Sequence, residues 1–284
     1  MEDRIIHRLE SEVLSLKRYQ LGVIGAGNMG MAIARGLAAT GVPASDILLF
    51  NRSADKRAAN EAAGFSATDD YAALYAASDM VLLSVKPQTF PEVLGNLSGT
   101  AKTCRPLVVS VAAGITFAKI EAALGADCPV IRVMPNTPLM LGEGATELVK
   151  NAAASAEQLA AVRALFDTMG VTVTFQEETM LNEVIPYAGS APAYIYAFAA
   201  GMVRSAEAHG IAYDDAMKLF CQTMIGSAKM LLAGEKTPDE LIGQVCSPGG
   251  TTLEAIKVLK ERDLAGMLAE ASDKCIARAY ELGK

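Results

Sequence analysis

The chain has 284 residues, 51% hydrophobic and 20% charged, enough apolar material for two cores and too much for a disordered polymer. A formal net charge of -7 with no Lys/Arg run excludes a sequence-independent grip on nucleic acid, which needs a basic face to displace counterions. The five cysteines, odd in number and without a C-x-x-C pair, exclude a disulfide framework and a zinc site, so no metal is expected and a reducing, cytoplasmic setting fits.

Residues 1–18 place Ile5, Leu9 and Val13 at four-residue spacing among Glu, Arg and Lys, which predicts a short amphipathic helix without the uninterrupted apolar core of a signal peptide. From Tyr19 to Glu178, apolar runs at 21–24, 47–50, near Phe65, 80–85, 107–111 and 130–134 alternate with Ala-rich helical stretches. This is the grammar of a doubly wound, mostly parallel sheet. Two more β-rich runs, 145–149 and 171–175, are expected to close the sheet as antiparallel edge strands. After Thr179 only helices are legible, at 194–209, 213–233, 238–245, 252–260 and 264–282. Three parts follow: an extension (1–18), an α/β domain (19–178) and an all-α domain (179–284).

The uncharged stretch 185–203 does not read as a membrane span, because Pro186, Gly189, Ser190 and Pro192 interrupt it and the remainder is too short; a buried helix is expected. Runs such as Tyr194-Ile195-Tyr196-Ala197-Phe198 make the helical half apolar on more than one face. A hundred residues cannot bury that surface alone, so a homodimer is expected.

The first run leads directly into Gly25-Ala26-Gly27-Asn28-Met29-Gly30 and then a helical stretch. G-x-G-x-x-G between strand and helix is the Rossmann dinucleotide fingerprint, whose glycines allow a tight turn and close approach of a pyrophosphate to the helix N-terminus. The second strand ends at Asn51-Arg52-Ser53, where an NAD enzyme usually places an acid on the ribose hydroxyls. Arg52, with donors on either side, suits the 2'-phosphate of NADPH, with NADH as the lesser alternative; a solvated loop cation is the plain reading. Two further strand ends point to the same crevice, Ser84-Val85-Lys86-Pro87 and Val111-Ala112-Ala113-Gly114. The small residues there let a flat nicotinamide approach the backbone. Lys86 serves either the cofactor or the strand edge.

Carbonyl reduction needs a general acid, commonly His or Lys. Neither of the two histidines, His7 and His209, is well placed, whereas an imine can be protonated before hydride arrives and needs mainly orientation. In the second half, Ser247-Pro248-Gly249-Gly250-Thr251-Thr252 opens a helix. Its free N–H groups and helix dipole suit a carboxylate, while a simple N-cap is the competing reading. A third cluster, Gly189-Ser190-Ala191-Pro192-Ala193-Tyr194, is either close helix packing or part of a site.

Taken in order with Gln88, Arg132-Val133-Met134-Pro135-Asn136-Thr137-Pro138 and Gly142-Glu143-Gly144, these clusters resemble the pyrroline-5-carboxylate reductase family along everything after Tyr19. The resemblance implies NAD(P)H-dependent reduction of a cyclic imine acid to L-proline, a helical dimerisation domain, an active site formed with the partner subunit, and in many members a ring of dimers. It implies that Thr252 bonds the ring nitrogen, that Ser247, Gly249, Gly250 and Thr251 lie on the carboxylate loop with Ser190 nearby, and that Ala112 and Ala113 lie beside the nicotinamide. The chain departs from the family at Ala188 and Ala191, where a serine and a glycine are common, and around Asp70 and Tyr71, where an Asn is often found. Rival readings are a reductase of a related cyclic imine acid, a β-hydroxyacid dehydrogenase, which needs a catalytic Lys or similar acid in the helical half whereas Lys218, Lys229 and Lys257 lie outside any glycine-rich site motif, and a non-catalytic NADPH-binding dimer.

Overall fold

The computed structural model of the protein describes residues 18–283. Six strands run parallel: β1 (Tyr19–Ile24), β2 (Ile47–Phe50), β3 (Ser66–Thr68), β4 (Ser78–Leu83), β5 (Leu107–Ser110) and β6 (Val130–Pro135). β7 (Gly144–Lys150) joins β6 antiparallel and β8 (Gly170–Thr174) follows β7 in parallel, so both closing strands run against the other six. The order is β3-β2-β1-β4-β5-β6-β7-β8, and the chain switches direction across the sheet between β1 and β4.

The runs without polar alternation are the strands covered on both sides. Every residue of β2 is buried, as parallel strands between two helical layers require. One face packs on α1 (Asn28–Ala39) and α6 (Ala156–Asp167) through Ile33, Val162 and Phe166. The other packs on α3 (Tyr71–Ala77), α4 (Phe90–Leu97) and α5 (Phe117–Leu124), which follow α2 (Ala54–Ala62) and contribute Tyr75, Phe90 and Ile120. The fourth strand begins two residues earlier and ends two earlier than its apolar run predicts. Polar Ser78 and Asp79 hide its start, Asp79 lying at the surface in an ion pair with Arg18, and at Val85 the chain has already turned away.

The chain divides into two compact units. The first ends at Gly189 and includes the residues from Ile276 onward; the second is Ser190–Cys275. The short α7 (Met180–Glu183), which the sequence did not signal, belongs to the first, where Leu181 is buried with Met134 and Val149. The second unit holds α8 (Ala191–Ala208), α9 (Tyr213–Leu232), α10 (Pro238–Val245), α11 (Thr251–Glu261) and the start of α12 (Leu264–Gly283). The burial expected for 185–203 is not supplied by the single chain: Ile195, Tyr196, Phe198 and Met202 are exposed on α8. Among the described residues no helix is long and apolar enough to cross a membrane. The expected helix over 1–18 lies outside the described residues, apart from Arg18.

Candidate active site

The turn after β1 is shaped by its glycines. Gly25 has φ +106°, and a Cβ there would lie 2.5 Å from the backbone carbon and oxygen of Ser84 at the end of β4. Gly30 packs directly on the Gly25 carbonyl. Gly27 is the N-cap of α1, has no side-chain cap and faces open space, so the first N–H groups of the helix, from Asn28 and Met29, remain available to an anion. These features fit a pyrophosphate group. Gly25→Ala combines an unfavourable φ with a backbone overlap, each costing about 1–3 kcal/mol. We expect NADPH affinity, measured by fluorescence titration, to fall at least about tenfold, and the melting temperature to drop by several degrees.

At the end of β2, Arg52 and Ser53 are exposed and Asn51 is partly exposed. Ser53 is the N-cap of α2 but its hydroxyl makes no cap bond, leaving it free for a ligand. The loop backbone is held by Arg57, whose Nη1 donates to the carbonyls of Asn51 at 3.0 Å and Arg52 at 2.9 Å while Arg57 pairs with Asp69. Arg52 itself donates from Nη2 to the Tyr71 hydroxyl at 3.3 Å and to Glu92 of α4. Tyr71 first, and Glu92 after it, raise the Arg52 pKa above its ordinary value. Tyr71 stacks on Phe50 with ring centroids 3.8 Å apart, and Asp70 caps α3. Arg57 and Glu92 escape the sequence reading, and Tyr71 enters it only as a departure from the family, because pairs across elements leave no spacing signature.

At the neighbouring strand ends, Ser84 donates its N–H to Ile24 at 2.8 Å and Val111 donates to Leu83 at 3.1 Å, so these segments lie beside the glycine turn. Lys86 and Pro87 are exposed and Val85 is partly so; the Lys86 amine makes no ion pair with the described residues. Ala112 is buried and Ala113 exposed. Gly114, at φ +74°, lies against the last turn of α12, where a Cβ would be 2.9 Å from the Leu282 carbonyl oxygen.

In the second unit the loop before α11 turns at Gly249 (φ +72°), and Gly250 donates to the Ser247 carbonyl at 2.9 Å. The N-cap is Gly250, without a side-chain cap. The hydroxyls of Ser247, Thr251 and Thr252 therefore do not cap the helix, which removes the plain N-cap reading, and the first N–H groups of α11 stay open. Thr252 lines an apolar cavity of about 450 Å³ with Met230, Leu241, Ile242 and Cys246. Ser190 sits at the start of α8 with its hydroxyl 3.4 Å from the Cys275 sulfur, a contact between helices.

Other motif residues hold the scaffold. Buried Asn136 accepts from Ala145 N–H at 3.0 Å and donates to the Ala188 carbonyl at 3.2 Å. Buried Arg132 donates to Glu178 at 2.7 Å, and Glu178 also accepts the Phe117 N–H that opens α5. His209 ends α8 with its Nδ1 2.8 Å from the Ser205 carbonyl, and Lys257 pairs with Glu254 at 2.6 Å on the exposed side of α11. Glu147 on β7 is buried at 3% exposure, its Oε2 makes no hydrogen bond with the described residues, and desolvation pushes its pKa up to about 7.

Residues 178–282 match the family described as pyrroline-5-carboxylate reductase dimerisation, and 20–114 match the family described as NADP oxidoreductase coenzyme F420-dependent. The pyrroline-5-carboxylate reductase of Escherichia coli is 37% identical over 267 residues, covering 93% of this chain and 98% of that protein. Among solved structures, the enzyme of that name from Coxiella burnetii superposes with a TM-score of 0.86 at 33% identity over 94% of this chain and all of that one. The one from Streptococcus pyogenes gives a TM-score of 0.82 at 32% identity, covering 91% of this chain and 97% of that chain. With both halves matched and relatives above 30% identity covered over nearly their whole length, the chain belongs to the pyrroline-5-carboxylate reductase family.

Proposed function

We propose that the chain reduces 1-pyrroline-5-carboxylate to L-proline with NADPH, in the Rossmann half that binds the cofactor and the helical half that binds the imine acid. The observation that carries the substrate side is the uncapped start of α11 after the Ser247–Gly250 turn. The N–H groups of Thr251 and Thr252 and the hydroxyls of Ser247 and Thr251 receive the substrate carboxylate. The Thr252 hydroxyl holds the ring nitrogen. The imine nitrogen takes its proton from water before the transfer, so no side-chain acid is required; the carbon gains hydride, the C=N bond becomes a single bond and the nitrogen keeps the proton.

On the cofactor side, Gly25, Ala26, Gly27, Asn28, Met29 and Gly30 receive the pyrophosphate, and Asn51, Arg52 and Ser53 receive the 2'-phosphate. Ser84, Val85, Lys86 and Pro87, with Val111, Ala112 and Ala113, line the nicotinamide end. Bound NADPH supplies the hydride. Most of the acceleration these residues provide comes from holding two reactants in register. The exposed Ile195, Tyr196, Phe198 and Met202 support a homodimer through the helical unit. Further assembly of dimers into rings and a cytoplasmic location complete the proposal.

The test is NADPH oxidation followed at 1-pyrroline-5-carboxylate saturation, repeated with NADH and with Arg52→Glu. The variant is expected to lose roughly tenfold or more in kcat/KM for NADPH and little for NADH. Equal losses with both cofactors would reject Arg52 as the 2'-phosphate ligand. Absence of turnover in the wild-type chain with either cofactor would reject the activity.

A further inference from the structure

We infer that Glu92 is an internal competitor of the cofactor 2'-phosphate for Arg52, and so limits how strongly the site prefers NADPH over NADH. The inference rests on the reading of Arg52 as the 2'-phosphate ligand. A guanidinium grips a phosphate bidentately along one of two edges, Nε with Nη2 or Nη1 with Nη2. Nη2 belongs to both. In this structure Nη2 is the nitrogen that is used, one bond going to the Tyr71 hydroxyl and one to the Glu92 carboxylate, while Nε and Nη1 make no bond with the described residues. A bidentate phosphate at Arg52 therefore has to take Nη2 from these partners.

The two partners differ in what their displacement involves. Tyr71 is neutral, stacked on Phe50 and fixed in place, so it stays beside the bound phosphate as a hydroxyl that can donate to it. Glu92 is an anion on the first turn of α4, and if it stays it repels the dianionic phosphate; if it swings away the ion pair is lost. Either way Glu92 opposes the ligand that carries the 2'-phosphate. A cofactor with a plain ribose hydroxyl at that position meets no such opposition, because it does not need the guanidinium edge. Arg52 and Glu92 are both more than half exposed, so the competition is that of a surface ion pair, worth a few-fold in affinity and screened by salt.

The experiment measures binding without turnover. Titration calorimetry with adenosine 2',5'-bisphosphate and with adenosine 5'-monophosphate gives the affinity ratio that reports the 2'-phosphate alone. Glu92→Gln and Glu92→Ala are each expected to raise that ratio about threefold at low salt, with the gain shrinking at 0.5 M salt. An unchanged or lowered ratio in both variants would overturn the inference, a lowered ratio identifying Glu92 as a strut that positions Arg52. Arg52→Ala separates the two levels of the argument. If it collapses the ratio while the Glu92 variants leave it unchanged, Arg52 keeps its role and Glu92 loses its own. If it leaves the ratio at the wild-type value, the reading of Arg52 itself is wrong.

Discussion

Thr252→Ala is expected to lower kcat with 1-pyrroline-5-carboxylate by roughly ten- to a hundredfold, the loss of one hydrogen bond to a charged group. The NADPH dissociation constant should stay at the wild-type value, because the residue belongs to the helical unit and not to the turn at Gly25–Gly30. The position makes the experiment clean. Thr252 follows the N-cap Gly250 by two residues, and its hydroxyl takes no part in capping α11, so its removal leaves the helix start intact. Thr252→Ser keeps the hydroxyl and should restore most of the turnover. Wild-type kcat in the alanine variant would dispose of the role, and equal losses in the alanine and serine variants would point to packing of the methyl group in the cavity shared with Ile242 and Met230.

The second large effect concerns stability. Glu147 faces Met134 across the β6–β7 ladder and Val173 across β7–β8, and Arg132, on the same side of β6, is already taken by Glu178. Among the described residues no cation pairs with Glu147, and desolvation lifts its pKa from 4.5 to about 7. The sign follows from linkage. The folded chain keeps the proton to about pH 7 and the unfolded chain releases it near 4.5, so stability falls as pH rises between these values and is flat above them. The wild-type chain is expected to lose about 2–3 kcal/mol from this group between pH 5 and pH 8. Glu147→Gln, which cannot ionise, should remove that slope and be the more stable protein at pH 8. Urea unfolding at fixed protomer concentration measures it, and identical pH slopes in the two proteins would refute the assignment.

Much of this architecture was legible because parallel strands buried on both faces cannot hide. The run at 47–50 coincides with β2, all four residues of which are buried, and the glycine turn declares itself because only glycine tolerates the Gly25 conformation against Ser84. The helices of the second half were legible as helical runs, and the segment expected at 238–245 coincides with α10, which a capping box at Thr237 opens. The electrostatics were not legible. Arg52 could be singled out from its strand end, but Glu92 is 40 residues away and Tyr71 19, and nothing in the linear pattern says that they converge on one nitrogen. Glu147 was equally silent: a single acid in a β-rich run reads as an outward-facing residue until the sheet shows which side is covered. That no hydroxyl of Ser247, Thr251 or Thr252 caps α11 is visible only once the cap position is seen to fall on Gly250, which has no side chain to cap with.

The close approach of Leu282 to Gly114 reaches beyond catalysis to the handling of the protein. The end of α12 is packed in the first unit, against the loop that continues from Ala112 and Ala113. A fluorescent label attached in the last turn of α12, at Leu282, would thus sit beside the loop that we propose lines the nicotinamide. A label there is accordingly a poor choice for studying ligand binding undisturbed, and for the same reason a well-placed one for reporting it.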